Sequence, residues 1–262
     1  SFGIFEIAGK EIQTIVDAPN RDEVFPAYSP DGQSIVFADA KGAGRYAESE
    51  IKIWSRKDKV ISTVAVDGTF PSVSSDGKAI FFERDRKKII KVALDTKVET
   101  ELFPGNTAEQ WGKFEVVKPR VSPDQKKVTF TSDKGGRWHV WVSELDTGKL
   151  INVADGCEPS FIDEDNLVFV KTKNAKAGSG IFRVNLANNK TELLQDQDGV
   201  LGHEYFPTLK NGRLLFSATS EDQHNHETGD YQLFLLDIVA KKTYRLTNDN
   251  TGSRWSSFVK LQ

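Results

Sequence analysis

Methionine is absent from the 262 residues of this chain, and cysteine occurs once, at Cys157. A single cysteine excludes an internal disulfide bond and says little about the compartment in which the protein works. It also excludes a zinc site built from several cysteines. Because the chain opens at Ser1 and contains no methionine, we expect it to be a processed or trimmed product.

Long apolar runs and an excess of basic residues are also absent. No run approaches the roughly 18 apolar residues of a membrane-spanning helix, so we predict no membrane span. Acidic residues outnumber basic ones by 38 to 35, for a formal net charge of −3, so we predict no nucleic-acid partner. The phosphate-binding loop, the dinucleotide-binding fingerprint and the Gly-x-Ser-x-Gly motif of serine hydrolases are missing as well.

What the chain does contain is one short motif that recurs along its length. In residues 25–37, a partly apolar segment leads into Pro30, Asp31 and Gly32, and an apolar β-branched and aromatic run follows. Proline presets φ for a turn, aspartate bonds the backbone just ahead, and glycine accepts a positive φ. The apolar run is typical of a buried strand. The motif therefore predicts a strand, a tight turn and a second strand.

Copies of this motif begin about every 40 to 50 residues. The residues that mark the starts are Pro26, Pro71, Pro119, Pro159 and Pro207, with a sixth start at Trp255. A repeat of about 40–50 residues built from short strands is the signature of a β-propeller blade. We therefore predict an all-β fold and a six-bladed β-propeller.

The two ends of the chain are predicted to share the sixth blade. Residues 1–16 resemble the third and fourth strands of a blade, and residues 253–261 resemble the innermost one. Joining terminal strands in one blade closes the ring and leaves no open sheet edge. We thus expect a single domain over residues 1–262. Its blades are predicted at 24–66, 69–103, 118–154, 158–195, 205–247, and 253–262 with 1–16.

The repeated pattern Pro-x-x-Ser-Pro-Asp-Gly, followed by an apolar strand, resembles the WD40-like (PD40) repeat of the TolB propeller family. Residues 132–142 and the turn from Asp146 to Lys149 resemble the strand connections of that family. The resemblance implies a six-bladed propeller that is exported, usually to the periplasm. The expected partner is then a protein or a glycan of the cell envelope.

The connections between strands are elaborated at one face of the predicted propeller. The long ones cover residues 41–49, 104–117, 173–179, 195–205 and 220–230, whereas the connections at the other face are tight turns. Loops that carry function concentrate in this way, which predicts a binding face; tolerance of insertions is the alternative. Candidate ligand-binding residues there are Arg45, Tyr46, Trp111 and Glu204. Trp111 suits either stacking on a ligand or covering a gap between blades.

Three of the four histidines, His203, His224 and His226, are predicted to lie at one end of blade five, with Glu221 nearby. Imidazole and carboxylate groups form a ligand set for a divalent transition metal such as zinc, manganese, nickel or iron. The spacing from Glu221 to His226 resembles the Gln-x-x-His-x-His metal site of oligogalacturonate lyases, with glutamate in place of glutamine. A polar loop with solvated histidines is the alternative, so no cofactor is firmly indicated.

Two functions follow from these patterns, and the sequence leaves enzymatic activity open between them. The first is an exported, TolB-like binding module for a protein or a glycan. The second is a metal-dependent, carbohydrate-active enzyme similar to oligogalacturonate lyase. In that enzyme the metal would act as a Lewis acid on a substrate carboxylate or carbonyl, and a lysine or arginine would be the base.

Overall fold

The structure is a computed structural model that describes residues 2–9, 11–41, 48–172, 179–196, 203–219, 230–248 and 253–257. The chain divides into two compact units. Unit 1 consists of Ser1–Pro119 with Ser257–Gln262, and unit 2 consists of Arg120–Ser256. The prediction of one domain with the boundaries given above stays a prediction.

Unit 1 contains ten strands, arranged as a two-stranded sheet and two four-stranded antiparallel sheets. The strands are β1 (Ile4–Ala8), β2 (Glu11–Val16), β3 (Arg21–Tyr28), β4 (Ser34–Lys41), β5 (Ser49–Ser55), β6 (Ile61–Val66), β7 (Thr69–Val73), β8 (Ala79–Arg84), β9 (Lys88–Ala93) and β10 (Glu99–Phe103). We call β3–β6 blade one and β7–β10 blade two. A 3-10 turn (Gly105–Thr107) and a one-turn helix α1 (Ala108–Trp111) follow blade two, where the sequence predicts one short turn.

Unit 2 contains the remaining strands, in three four-stranded sheets that we call blades three, four and five. Blade three is β11 (Val117–Val121), β12 (Lys127–Ser132), β13 (His139–Glu144) and β14 (Leu150–Asp155). Blade four is β15 (Cys157–Phe161), β16 (Asn166–Thr172), β17 (Ser179–Asn185) and β18 (Thr191–Gln195), and blade five is β19 (Glu204–Lys210), β20 (Arg213–Thr219), β21 (Tyr231–Asp237) and β22 (Lys242–Arg245). Strand β11 crosses the boundary between the units.

Within each blade the strands pair in chain order. The first strand is joined to the second by the turn that the sequence predicts. In blade one, the Ser29 hydroxyl donates to Asp31 Oδ1 at 2.6 Å, and the Gln33 N–H donates to the same oxygen at 3.0 Å. Gly32 has φ of 71°, which a glycine adopts without strain. Asp76 and Asp124 repeat the serine–aspartate bond in blades two and three.

The residue before each repeated proline has a left-handed backbone, which the sequence pattern does not predict. Its φ lies between 50° and 57° in all five blades, at Phe25, Phe70, Lys118, Glu158 and Phe206. Pairing with the second strand shifts register at this point in blades one, two, four and five. The shift is a β-bulge, which bends the innermost strand and redirects its side chains.

The prediction of a sixth four-stranded blade is wrong. The described residues form five four-stranded blades and the two-stranded sheet β1–β2. Trp255 has the same left-handed φ, 52°, as the other repeat starts, but residues 253–257 form no strand. A repeat start becomes a blade only where a second strand pairs with it, and the described residues after Trp255 supply none. Residues 258–262 lie outside the described part of the chain.

The hairpin β1–β2 packs on blade one instead. Ile4 and Val16 share an apolar cluster with Ile35, Phe37 and Trp54. Glu6 accepts a hydrogen bond from the Tyr28 hydroxyl at 2.7 Å and pairs with the Arg56 guanidinium. The hydrogen bond from Arg56 holds the pKa of Glu6 below its ordinary value. The hairpin is therefore held by both apolar burial and an ion pair.

The core of unit 2 lies between the faces of neighbouring blades. Blades three and four share a cluster that includes Val142, Phe169 and Val184, and blades four and five share one that includes Ile181 and Phe216. Burying a side chain of this size contributes roughly 1.5–3 kcal/mol. Strand β15 consequently packs on β12, and β19 packs on β15 and β16, which sets the innermost strands side by side.

Candidate binding surface at one end of unit 2

The antiparallel order of each blade brings particular strand ends together. The start of the first strand, the end of the second, the start of the third and the end of the fourth lie at the same end of a blade. In unit 2, we call this end the loop end, because the long predicted connections leave from it. Its chemistry-bearing residues are His139, Asp155, Cys157, Glu158, Ser179, Glu204, Tyr205, Tyr231 and Gln232.

Hydrogen bonds between the blades of unit 2 show that their loop ends lie next to one another. The Glu158 N–H in blade four donates to Thr131 Oγ1 in blade three at 3.0 Å. The Phe206 N–H in blade five donates to Glu158 Oε2 at 2.6 Å. Both donors are the left-handed residues that precede a proline, so a polar side chain of the preceding blade satisfies the amide at each bulge.

Glu204, one of the predicted ligand-binding residues, is fully buried at the start of β19. Its N–H donates to Ser179 Oγ of blade four at 2.8 Å. The Ser179 hydroxyl in turn lies 3.2 Å from Glu204 Oε2 and 3.1 Å from the Glu204 carbonyl oxygen. The described contacts of Glu204 thus join blades four and five.

His203 is 1% exposed and belongs to a chain of ring contacts in blade five. The imidazole stacks on Tyr205, with ring centroids 5.9 Å apart and planes 22° apart. Tyr205 meets Tyr231 edge to face at 5.5 Å, and the Arg254 guanidinium lies 5.0 Å from the Tyr231 ring. Burial, followed by the nearby Tyr231, Glu158 and Cys157, raises the pKa of Tyr205 far above its ordinary value. Tyr205 therefore keeps its proton across the physiological pH range.

A second group lies at the solvent-exposed edge of the loop end, in blade three. Asp155 pairs with the Arg137 guanidinium, and its Oδ1 lies 3.2 Å from His139 Nδ1. His139 and Asp155 are directly opposite in the β13–β14 ladder. Trp138 precedes this pair and is 41% exposed. The carboxylate, the guanidinium and the imidazole therefore form one contacting group, and the exposed ring of Trp138 adjoins it in sequence.

The structure brings together few of the predicted site residues. His203 and Glu204 adjoin each other in blade five, whereas His224, His226 and Glu221 lie outside the described residues, as do Arg45 and Tyr46. Trp111 is 1% exposed and packs edge-on against Phe103 at 4.9 Å and Phe114 at 6.3 Å. The ring is therefore packed against these two side chains, and ligand binding by Trp111 stays a prediction.

The described part of the chain does not by itself form a metal site. Within it, no group of three or more histidine, cysteine, aspartate and glutamate side chains is placed to hold a metal ion. Of the four predicted metal ligands, this part includes His203 alone, and its ring is stacked on Tyr205. The described residues also contain no helix long and apolar enough to cross a membrane.

The sequence pattern missed the group around Trp138. His139 alternates with Trp138 and Val140 along a strand, which predicts a packed or surface residue and no site. The usable signal was the pair Gly135 and Gly136 just before the strand, since adjacent glycines mark a backbone that needs unusual angles. Both have positive φ, 113° and 96°.

Comparison with known proteins gives one curated relative. No family model matches the chain. Dipeptidyl-peptidase 5 from Porphyromonas gingivalis is 25% identical over 186 residues, which cover 64% of this chain and 26% of that protein. The chain thus spans about a quarter of the length of this relative.

Solved structures share the fold. A putative TolB from Agrobacterium tumefaciens has a TM-score of 0.72 at 16% identity and covers 90% of this chain and 84% of its own. TolB from Acinetobacter baumannii has a TM-score of 0.60 at 18% identity, and the match covers 82% of this chain and 55% of that one. An oligogalacturonate lyase in complex with manganese has a TM-score of 0.54 at 12% identity, and the match covers 84% of this chain and 64% of that one. The chain therefore has an all-β propeller fold similar to that of TolB structures.

Proposed function

We propose that this chain is a binding module that engages a protein or a glycan through the loop end. The observation that supports this most is at blade three, where the exposed Trp138 lies in the chain between Arg137 and His139, both of which contact Asp155. Tryptophan and arginine carry a disproportionate share of binding energy at interfaces.

The propeller fold and its TolB neighbours also support a binding role. From the same resemblance we propose that the protein is exported, to the periplasm, and that its partner belongs to the cell envelope. The whole of dipeptidyl-peptidase 5 is much longer than this chain, so a peptidase role for the present residues has no support from that similarity.

Photo-crosslinking from the two ends of blade three tests the binding module. One variant carries a photoreactive residue at Lys134, in the β12–β13 connection at the loop end. Its matched control carries it at Lys149, in the β13–β14 turn at the opposite end of the same blade. We expect crosslinks to one envelope protein, or to an immobilised glycan, from Lys134 and not from Lys149. Equal yields from both positions, or none from either, would contradict the proposal.

A metal-dependent, carbohydrate-active enzyme is the second candidate function. It is favoured by the fold similarity to an oligogalacturonate lyase in complex with manganese. Because the described residues form no complete ligand set, the proposal depends on His224, His226 and Glu221. Metal analysis by mass spectrometry after exposure to manganese or zinc should find about one ion per chain, and His224→Ala with His226→Ala should abolish it. Purified protein that retains no metal would rule this candidate out.

A further inference from the structure

We propose that the open edge of β6, the outer strand of blade one, pairs with β6 of a second copy of this chain. The pairing forms a two-fold dimer in which the two blade-one sheets become one continuous sheet. This inference goes beyond the proposed function, because it concerns unit 1 and uses no residue of the loop end of unit 2.

One edge of β6 has no neighbouring strand among the described residues. Strand β6 pairs with β5 alone, at the end of the order β3-β4-β5-β6. The Ser55 N–H donates to the Val60 carbonyl oxygen at 2.9 Å, so the alternate residues Val60 and Ser62 bond to β5. In an antiparallel ladder, the residues between them direct their N–H and C=O groups away from that neighbour. The backbone groups of Ile61 and Thr63 therefore point to the open edge.

The side chains along this edge are uncharged and accessible. Strand β6 reads Ile-Ser-Thr-Val-Ala-Val, and its first three residues are exposed. Val60, just before the strand, is 58% exposed, and Ile61 is 42% exposed. The register shifts only after Thr63, so the run that precedes the shift is regular. An uncharged edge strand rich in β-branched residues is a template for pairing with another strand.

The outer strands of the other four blades carry charge, whereas β6 carries none. Charged side chains on an edge strand discourage pairing with another chain. Blade one therefore lacks a protection that each of the other blades has. The charged residues are Glu99 and Glu101 in β10, Asp155 in β14, Glu192 in β18, and Lys242 and Arg245 in β22.

Strand β10 of blade two shows how charge prevents self-pairing. It begins with the same bond pattern as β6, since the Ala93 N–H donates to the Val98 carbonyl oxygen at 3.0 Å. Glu99 and Glu101 consequently occupy the two positions whose backbone groups point to the open edge. Two copies of β10 paired about Thr100 would set glutamates of the two chains directly opposite each other, and like charges in that position are destabilising.

A second copy of β6 meets no such repulsion. With the two-fold axis at Ser62, Ile61 of one chain lies opposite Thr63 of the other, and each such pair exchanges two main-chain hydrogen bonds. The aliphatic Ile61 then lies beside the methyl group of Thr63, a favourable cross-strand pair. So short a strand buries less than the roughly 1,200 Å² of a stable interface. The expected dimer is therefore weak and forms at high protein concentration.

Sedimentation equilibrium of the intact chain measures this dimer. The wild type should change from monomer towards dimer as its concentration rises from about 10 μM to about 500 μM. Ser62→Lys places two ammonium groups opposite each other at the two-fold axis and should keep the protein monomeric over that range. The matched control, Thr100→Lys, adds the same charge at the equivalent position of β10 and should leave the association unchanged.

Disulfide trapping tests the register of the pairing. Ser62 faces itself across the axis as a non-hydrogen-bonded pair, whose Cα atoms are about 4.5 Å apart, close enough for a disulfide. With oxidised glutathione as the oxidant, Ser62→Cys should give a covalent dimer, whereas Thr100→Cys should stay largely monomeric. Both variants retain Cys157, so the difference between them reports the position of the added thiol.

Several results would overturn the β6 dimer. A wild type that stays monomeric over the whole range would do so, as would a dimer that Ser62→Lys retains or that Thr100→Lys loses equally. A dimer lost only in Ser62→Lys and trapped by Ser62→Cys supports it. Crosslinking from Lys134 at the loop end depends on none of these results, so the two proposals can fail separately.

Discussion

Glu83→Gln should make the protein more stable at pH 8 than the wild type, by up to about 3 kcal/mol. Glu83 lies in β8 with 1% of its surface exposed, and burial raises its pKa to about 7. The Lys118 N–H, which donates to Glu83 Oε2 at 2.6 Å, partly opposes that rise. Glutamine keeps an acceptor for this N–H and carries no charge to bury.

The direction of this stability change with pH follows from how many protons the folded and unfolded states bind. In the unfolded chain Glu83 titrates near pH 4.5, and in the folded protein near 7. Between these values the folded state binds more protons, so the wild type loses stability as the pH rises from about 4.5 to 7. The difference between variant and wild type should therefore grow across that window and then level off. Urea denaturation at pH 4.5, 6, 7 and 8 measures it.

Glu99→Gln is the matched control for Glu83→Gln, since it also replaces a glutamate of blade two. The hydrogen bond from Arg84 lowers the pKa of Glu99. The stabilisation that ionised Glu99 provides is therefore present above the pKa that Glu99 has in the unfolded chain, and it is lost as the pH falls. Glu99→Gln should slightly destabilise the protein at pH 8, the opposite of Glu83→Gln. A stability difference for Glu83→Gln that is constant from pH 4.5 to 8 would show that Glu83 titrates normally.

Glu158→Ala should destabilise unit 2 by about 2–3 kcal/mol, because it leaves the Phe206 N–H without its acceptor at the bulge of blade five. Glu158 is buried, and the hydrogen bond is 2.6 Å long. Glu158→Gln retains an acceptor oxygen and should cost about 1 kcal/mol. Both values come from urea denaturation at one pH.

A separate control removes the same kind of contact one blade earlier. Thr131→Val deletes the hydroxyl that accepts the Glu158 N–H at 3.0 Å, while keeping the shape of the side chain. We expect a loss of about 1–2 kcal/mol, which is smaller because the lost acceptor is neutral. If Glu158→Ala cost no more than Glu158→Gln, the contact to Phe206 would contribute nothing to stability.

The repeats made most of the fold predictable. Turn residues such as Asp31 and Gly32, and the apolar run after them, act through local backbone preferences, so five blades follow from five copies. The left-handed backbone at Phe25 and its equivalents was not predictable in the same way. A residue before proline is typically extended, whereas in blades four and five the amide of this residue donates to a side chain of the preceding blade, a contact that the local sequence does not indicate.

The prediction of a sixth blade shows the limit of counting repeat starts. Trp255 reproduces the backbone of a repeat start, which a motif can indicate. Pairing with a second strand is a property of the rest of the sheet, which the motif does not contain. Trp111 and Trp138 show the same limit for single side chains. Each stands in a connection with polar neighbours, yet one is buried against Phe103 and the other is exposed.

The binding role of the loop end is tested most directly by the pair of photo-crosslinking variants in blade three. Lys134 and Lys149 lie at opposite ends of the same blade, so fold, expression and chemistry are matched. If the loop end is the binding surface, the Lys134 variant should give a crosslinked product, and an excess of protein without the photoreactive residue should suppress it by competing for the partner. The Lys149 variant should give no more product than a sample that has not been irradiated. Product that forms mainly from Lys149 would place the binding surface at the turns instead and contradict the account.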